Sequence, residues 1–164
     1  MEAAPSRSDP DREPNKTPPG PLTGLRVVEI CSTIAGPACA RLLADFGADV
    51  TKIEPLAGDG VRQMGGHVRD VSLYAATLLR NKRSVAVDLR TEAGREIALA
   101  LIGRADILVE NNRPGVMERL GLGYDVLSAA NPGLIMVRIS GYGQDGPYAE
   151  RPGYGAICEA FGGV

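Results

Sequence analysis

The sequence contains no tryptophan, and aromatic residues fill only 4% of its 164 positions. So few rings cannot build a stacking platform for nucleic-acid bases. The formal net charge is -2, which provides no basic field to attract a polyanion. Nucleic acid is therefore not an expected partner. No apolar run approaches the roughly 20 residues that a membrane-spanning helix needs, so no membrane partner is expected either. Histidine occurs once, as His67 in the glycine-flanked stretch QMGGHVRD, which reads as a solvent-exposed loop. A Ser-His-Asp or Cys-His arrangement finds no credible set of partners. A G-x-S-x-G nucleophile elbow and a P-loop are also missing. The three cysteines, Cys31, Cys39 and Cys158, cannot all pair with one another, and their spacings match no zinc pattern. Reduced thiols, a cytoplasmic location and no metal site are the expectation.

The N-terminal stretch MEAAPSRSDPDREPNKTPPGP has no apolar segment of the secretory type and is too acidic for a transit peptide. Six of the twelve prolines fall within these first 21 residues. Such a segment buries too little apolar surface to offset its ordering entropy. Residues 1–21 are expected to be a disordered tail, and 22–164 to form the folded domain.

From Leu22 onward, short apolar runs alternate with segments of helical spacing. LRVVEI (25–30), DVTKIE (49–54), SVAVDL (84–89), DILVEN (106–111) and LIMVRISG (134–141) read as strands. Helices are expected over 36–48, 71–80, 91–104, 114–121, 124–131 and about 156–162. Pro37 suits a first helical position and Thr91 an N-cap. Alternating strands and helices, with strands apolar throughout, predict an α/β fold. The expected form is a Rossmann-like open parallel sheet with helices on both faces.

In such sheets ligands bind beyond the carboxyl ends of the strands. After the first strand, CSTIAGPACARLL leads into a helix whose leading amides suit an anion, although an ordinary tight connection would read the same way. A dinucleotide fingerprint is a poor match, because Gly36 is followed by Pro37, Ala38, Cys39 and Ala40 rather than by further glycines. RNKRSVAVDLR places Arg80, Lys82 and Arg83 before the third strand and Arg90 after it. ENNRPGVMERLG adds Asn111, Asn112, Arg113 and Arg119 at the next strand end. Amides can bond a purine or ribose, and arginines can clamp phosphate oxygens. These strand ends point to a phosphorylated, nucleotide-like ligand. The loop ISGYGQDGPY could cover a bound ligand or be a plain connection.

These stretches, together with PLTGLRVVEICSTIAGPACARLLADFGADVTKIEP and ADILVENNRPGVMERLGLGYDVLSAANPGLIMVRISGYGQDGPYAERPGYG, resemble the class III coenzyme A transferases, the CaiB/BaiF family. The resemblance runs from about Pro21 to Val164. It implies transfer of coenzyme A (CoA) from an acyl-CoA to a free carboxylic acid, with no metal. It also implies a chain two to three times this length, with a Rossmann-like large domain and a smaller one, in an interlocked homodimer. By that resemblance Ser32, Thr33, Ile34 and Ala35 lie along the CoA. Val87 and Arg90 flank its adenine and ribose phosphate, and Asn111, Asn112 and Arg119 contact it as well.

The family's nucleophile is an aspartate that attacks the thioester to give an anhydride, and glycine-loop amides can stabilise the oxyanions. The resemblance places that aspartate beyond Val164, so no catalytic residue is expected in this chain; Asp145 does not match the position. A racemase branch of the family has histidine then aspartate where this sequence has Tyr154 and Gly155, the expected pocket contacts. Tyrosine and glycine cannot serve as an acid–base pair near neutral pH. Transferases often have an acid after the tyrosine, so Gly155 departs from their pattern. The expectation is the CoA-binding N-terminal part of a transferase, inactive by itself. A racemase-type enzyme and a non-catalytic CoA-binding fragment are the alternatives.

Overall fold

The computed structural model describes residues 20–163. The tail expected over residues 1–21 lies, up to residue 19, outside the described residues. Gly20 already belongs to the turn that enters the domain, its carbonyl accepting from Thr23 N at 3.0 Å.

Five strands form one parallel sheet: β1 (Arg26–Ile30), β2 (Asp49–Glu54), β5 (Lys82–Ala86), β6 (Ile107–Glu110) and β7 (Ile135–Arg138). Its order is β5-β2-β1-β6-β7. The chain steps outward from β1 to β2 and β5, then returns to the other side of β1 for β6 and β7. This reversal makes the gap between β1 and β6 the topological switch point, where doubly wound sheets open a crevice.

Alternation along each strand sends side chains to opposite faces. Val28, Ile30, Ile53 and Leu108 pack with α3 (Glu92–Ile102), α4 (Val116–Arg119) and α5 (Tyr124–Ala130) through Ala98, Ile102, Met117 and Leu127. Val27, Val50 and Val109 instead meet Ala40 and Ala44 of α1 (Ala35–Asp45). Each fully buried aliphatic side chain contributes roughly 1.5–3 kcal/mol. The α/β class with helices on both faces is as expected.

Two expected elements are redrawn. The helix expected over 71–80 begins only at Leu73, as α2 (Leu73–Leu78). Val71 and Ser72 form β4, which pairs antiparallel with β3 (His67–Val68). Ser72 sets the boundary, because its hydroxyl caps the helix by accepting from Ala75 N at 3.2 Å. His67, expected in a loop, lies in β3 and is exposed. The strand expected over 84–89 starts two residues earlier and ends three earlier, at Lys82–Ala86. The Lys82 side chain is drawn inward by an ion pair, so its charge concealed a strand position.

α6 (Gly155–Gly162) closes the described chain, with Tyr154 at its N-cap and 66% exposed. No helix among the described residues is long and apolar enough to cross a membrane.

Candidate functional site

A cavity of about 660 Å³ opens at the carboxyl ends of β1, β2, β5 and β6. Ile30, Ile53 and Val87 line it with apolar surface, while Ser32, Arg90 and Asn112 bring polar groups. Four expected residues therefore meet here: Ser32, Val87, Arg90 and Asn112. Thr33, Ile34, Ala35 and Asn111 continue from the cavity toward α1 or stand beside it, outside the lining. Arg119 is exposed at the end of α4, while Val116 in that helix and Leu120 just after it face the cavity instead. Tyr154 and Gly155 are not part of the lining.

Arg90 reaches the rim through the turn after β5. Its Nε and Nη2 donate to the two Asp88 carboxylate oxygens, each at 2.9 Å, and its backbone N to Oδ1 at 3.0 Å. The guanidinium and the turn amide hold the Asp88 carboxyl down, at about 2. The Arg90 side chain is 86% exposed, so its cation stays available to an anionic ligand. Thr91 then caps α3 by accepting from Gly94 N at 3.0 Å. A side chain at Gly94 would collide with the Asp88 carbonyl, so glycine there lets the turn and the helix start touch.

Asn111 does something the sequence did not reveal. Its Oδ1 accepts from Ser32 N at 2.9 Å and its Nδ2 donates to Ser32 O at 2.8 Å. The amide is thus a clasp across the switch point rather than a free recognition group. Asn112 is held similarly: Glu110 Oε2 accepts from its backbone N at 2.8 Å, and its Nδ2 reaches Ile30 O at 3.3 Å. On the other side of the clasp, Gly36 approaches Cys31 and Asn111 so closely that a Cβ would strike the Cys31 side chain.

Beneath the cavity lies a set of buried charges that the sequence reading missed. Glu29 on β1 and Lys52 on β2 are register partners. Lys52 Nζ donates to Glu29 Oε1 at 2.8 Å and to Cys31 O at 2.7 Å. It also lies 2.8 Å from Asp59 Oδ2, a charge contact without hydrogen-bond geometry. Lys82 Nζ donates to the second Glu29 oxygen at 2.6 Å and to Pro37 O at 2.7 Å. Two cations thus face two anions, a balance that burial requires. Burial pulls Lys52 down, but Glu29 and Asp59 more than offset it and leave its pKa raised. Burial prevails at Lys82, which shares Glu29 with Lys52, and lowers it. Burial, with Glu29 next, also pushes the Cys31 thiol up, so Cys31 is no nucleophile near neutral pH.

Glu54, at the end of β2, occupies the place where a dinucleotide fold would offer a carboxylate to a ribose. Here Arg62 Nε and Nη2 donate to its two oxygens at 2.9 and 2.6 Å, and Asp59 N donates at 2.7 Å. Ser84 Oγ donates as well. Burial opposes its ionisation, but these donors outweigh it and bring the carboxyl to about 2. With both oxygens engaged, Glu54 is not presented to a diol, which agrees with the poor dinucleotide fingerprint.

A signal for these residues was present. Glu29, Lys52, Glu54 and Glu110 are charges inside apolar strand runs, and charged side chains become buried only when paired. The partners of each could not be named from sequence spacing.

Residues 22–164 match the family model described as CoA-transferase family III. The chain belongs to that family. It is 47% identical over 152 residues to the succinyl-CoA–D-citramalate CoA-transferase of Chloroflexus aurantiacus, covering 92% of this chain and 38% of that protein. The acetyl-CoA:oxalate CoA-transferase of Acetobacter aceti is 43% identical, with 90% and 38% covered. A crystal structure of a CaiB/BaiF family protein from Brucella suis superposes with a TM-score of 0.84 at 42% identity, covering 88% of this chain and 40% of that one. The family III chain thus spans about two-fifths of the length of these relatives. The expected membership and fold are borne out.

Proposed function

We propose that this chain is the N-terminal, CoA-binding part of a transferase that moves CoA from an acyl-CoA thioester to a small free carboxylic acid. The observation that carries this reading is the switch-point cavity of about 660 Å³, with apolar walls and Arg90 at its rim, in a family III chain. Apolar walls suit an adenine ring, and an exposed guanidinium suits a phosphate. The named relatives move CoA between acids, which supports carboxylic acids as donor and acceptor partners.

Chemistry proceeds, in this proposal, through an anhydride on an aspartate, the nucleophile that the family resemblance implies. The carboxylate attacks the thioester carbon, and the C–S bond breaks to release CoA thiolate. The thiolate then attacks the aspartyl carbonyl and expels the donor carboxylate, leaving an aspartyl-CoA thioester. The acceptor carboxylate displaces the thiolate from it to form a second anhydride. The thiolate attacks the acceptor carbonyl, giving the new acyl-CoA and the free aspartate. A cytoplasmic, homodimeric full-length protein belongs to the same proposal, supported by the family resemblance and by three free cysteines. Tyr154 and Gly155 supply no acid–base pair, so the racemase reading has no support from this chain's own residues.

The test is CoA exchange by the full-length protein across a panel of acyl-CoAs and dicarboxylic or hydroxy acids. Exchange with at least one pair is expected. No exchange with any pair, together with no measurable CoA binding, overturns the proposal.

A further inference from the structure

Three consecutive residues after β1 are each held by a different side chain. Lys52 Nζ donates to the Cys31 carbonyl at 2.7 Å. Asn111 closes on both backbone groups of Ser32. Asp59 Oδ1 accepts from Thr33 N at 3.1 Å. Thr33 itself has φ +68°, the left-handed region that a β-branched residue rarely adopts and keeps only where its surroundings over-determine it.

Asp59 is well placed to impose this conformation, being anchored on both sides. Its backbone N donates to Glu54 Oε2 at 2.7 Å, and its Oδ2 sits 2.8 Å from Lys52 Nζ. The same Oδ1 that takes the Thr33 amide also accepts from Val61 N at 2.9 Å. Yet Ser32 and Thr33, two of the three residues so held, are exposed, as are Ile34 and Ala35 after them. Core stability alone does not call for this arrangement. A buried ion pair is often no more stabilising than apolar side chains of similar size, and the ordered turn buries little surface in return.

We propose that Lys52 and Asp59 are positioning residues for CoA binding: through the Cys31 carbonyl and the Thr33 amide they hold the Cys31–Thr33 turn, with Thr33 left-handed, at the cavity mouth. This rests on the function proposed above. Neither side chain lines the cavity, whereas Cys31 and Ser32 do. Their effect on the ligand therefore passes through the turn. A turn fixed before binding spares the ligand the ordering cost.

The test uses the full-length protein and three variants: Asp59→Ala, Asp59→Asn and Lys52→Met. CoA affinity is measured by calorimetry, and amide hydrogen exchange over residues 31–35 without ligand. Asp59→Ala and Lys52→Met should each speed exchange in that segment while β1 and β6 keep their protection. Each should weaken CoA binding about tenfold, about 1.4 kcal/mol. Asp59→Asn keeps an acceptor for the Thr33 amide and should bind within about threefold of wild type, a rescue that loss of charge alone would not allow. If Asp59→Ala fails to fold, the other two variants decide. Unchanged affinity in folded Lys52→Met, or exchange rising evenly through the sheet, overturns the inference and leaves the proposed function standing. Failure of the wild-type protein to bind CoA overturns both.

Discussion

Lys52 Nζ lies 2.8 Å from Glu29 Oε1 across a registered pair of parallel strands, with both side chains closed to solvent. Glu29 also holds Lys82, so two buried ammonium groups share this anion directly. Replacing it with alanine leaves Lys82 buried without a carboxylate and leaves Lys52 with Asp59 alone. Glu29→Ala should therefore lose about 3–5 kcal/mol in urea unfolding, the usual cost of breaking a buried pair. Asp49→Ala breaks only the exposed pair with Arg83 and should cost less than about 1 kcal/mol. Equal losses in the two variants would contradict this account of the charge cluster.

Glu54 sets an acid limit on stability. Its folded pKa, about 2, lies below its ordinary value of 4.5. The folded state thus favours the ionised carboxylate, and its contribution is complete above the unfolded pKa. It should fade as pH falls from about 4.5 toward 2. A series of melting temperatures across that window should fall more steeply for wild type than for Glu54→Gln. Parallel curves would remove Glu54 from the acid sensitivity.

Gly36 is required by contact with its neighbours rather than by backbone sign. A methyl group there meets the Cys31 side chain and comes close to Asn111. Gly36→Ala should destabilise by about 1–3 kcal/mol, as overpacking does, and should weaken CoA binding. Adding Cys31→Ala removes the nearer of the two struck atoms, Sγ, though not Cβ, and should recover part of the stability. A double variant no more stable than the single one would place the clash elsewhere.

Arg90 is exposed and its pairing with Asp88 is local. Arg90→Ala should shift unfolding by no more than about 0.5 kcal/mol, yet reduce CoA affinity about tenfold and make it less dependent on salt. Calorimetry at two ionic strengths checks both. Unaltered affinity would take the phosphate role away from this residue.

The alternation of strands and helices could be read directly, because apolar strand runs and helical spacing are local patterns. Pro37 and Thr91 marked helix starts that the structure keeps within two residues. The stretch from Asp59 to Ser72 could not be read in this way. Its short 3-10 turn, hairpin and helix cap depend on Ser72 Oγ donating to the carbonyls of Val61 and Met64, at 3.0 and 2.6 Å. At the site, strand ends point to Arg90 and Asn112 and the family resemblance to Ser32 and Val87, and the four line one cavity. The asparagines, however, were read as groups open to a ligand. Asn111 is instead satisfied by Ser32, on β1's side of the switch point and 79 positions away in sequence. Sequence patterns report which face a residue occupies, but not which distant backbone group satisfies it.

The carboxyl ends of β1, β2 and β6 each carry a buried glutamate, and each finds its cation elsewhere in the fold: Glu29 in Lys52 and Lys82, Glu54 in Arg62, Glu110 in Arg138. The ground beneath the cavity is therefore electrically quiet despite its many charges. A polyanionic guest approaching from solvent feels little repulsion from those carboxylates and is attracted mainly by the rim. Added salt should erode attraction at that rim while leaving the solvent-closed pairs of Glu29 with Lys52 and Lys82 intact. The fold thereby separates two tasks by depth, with attraction that responds to its surroundings at the mouth and a shape that does not respond to them underneath.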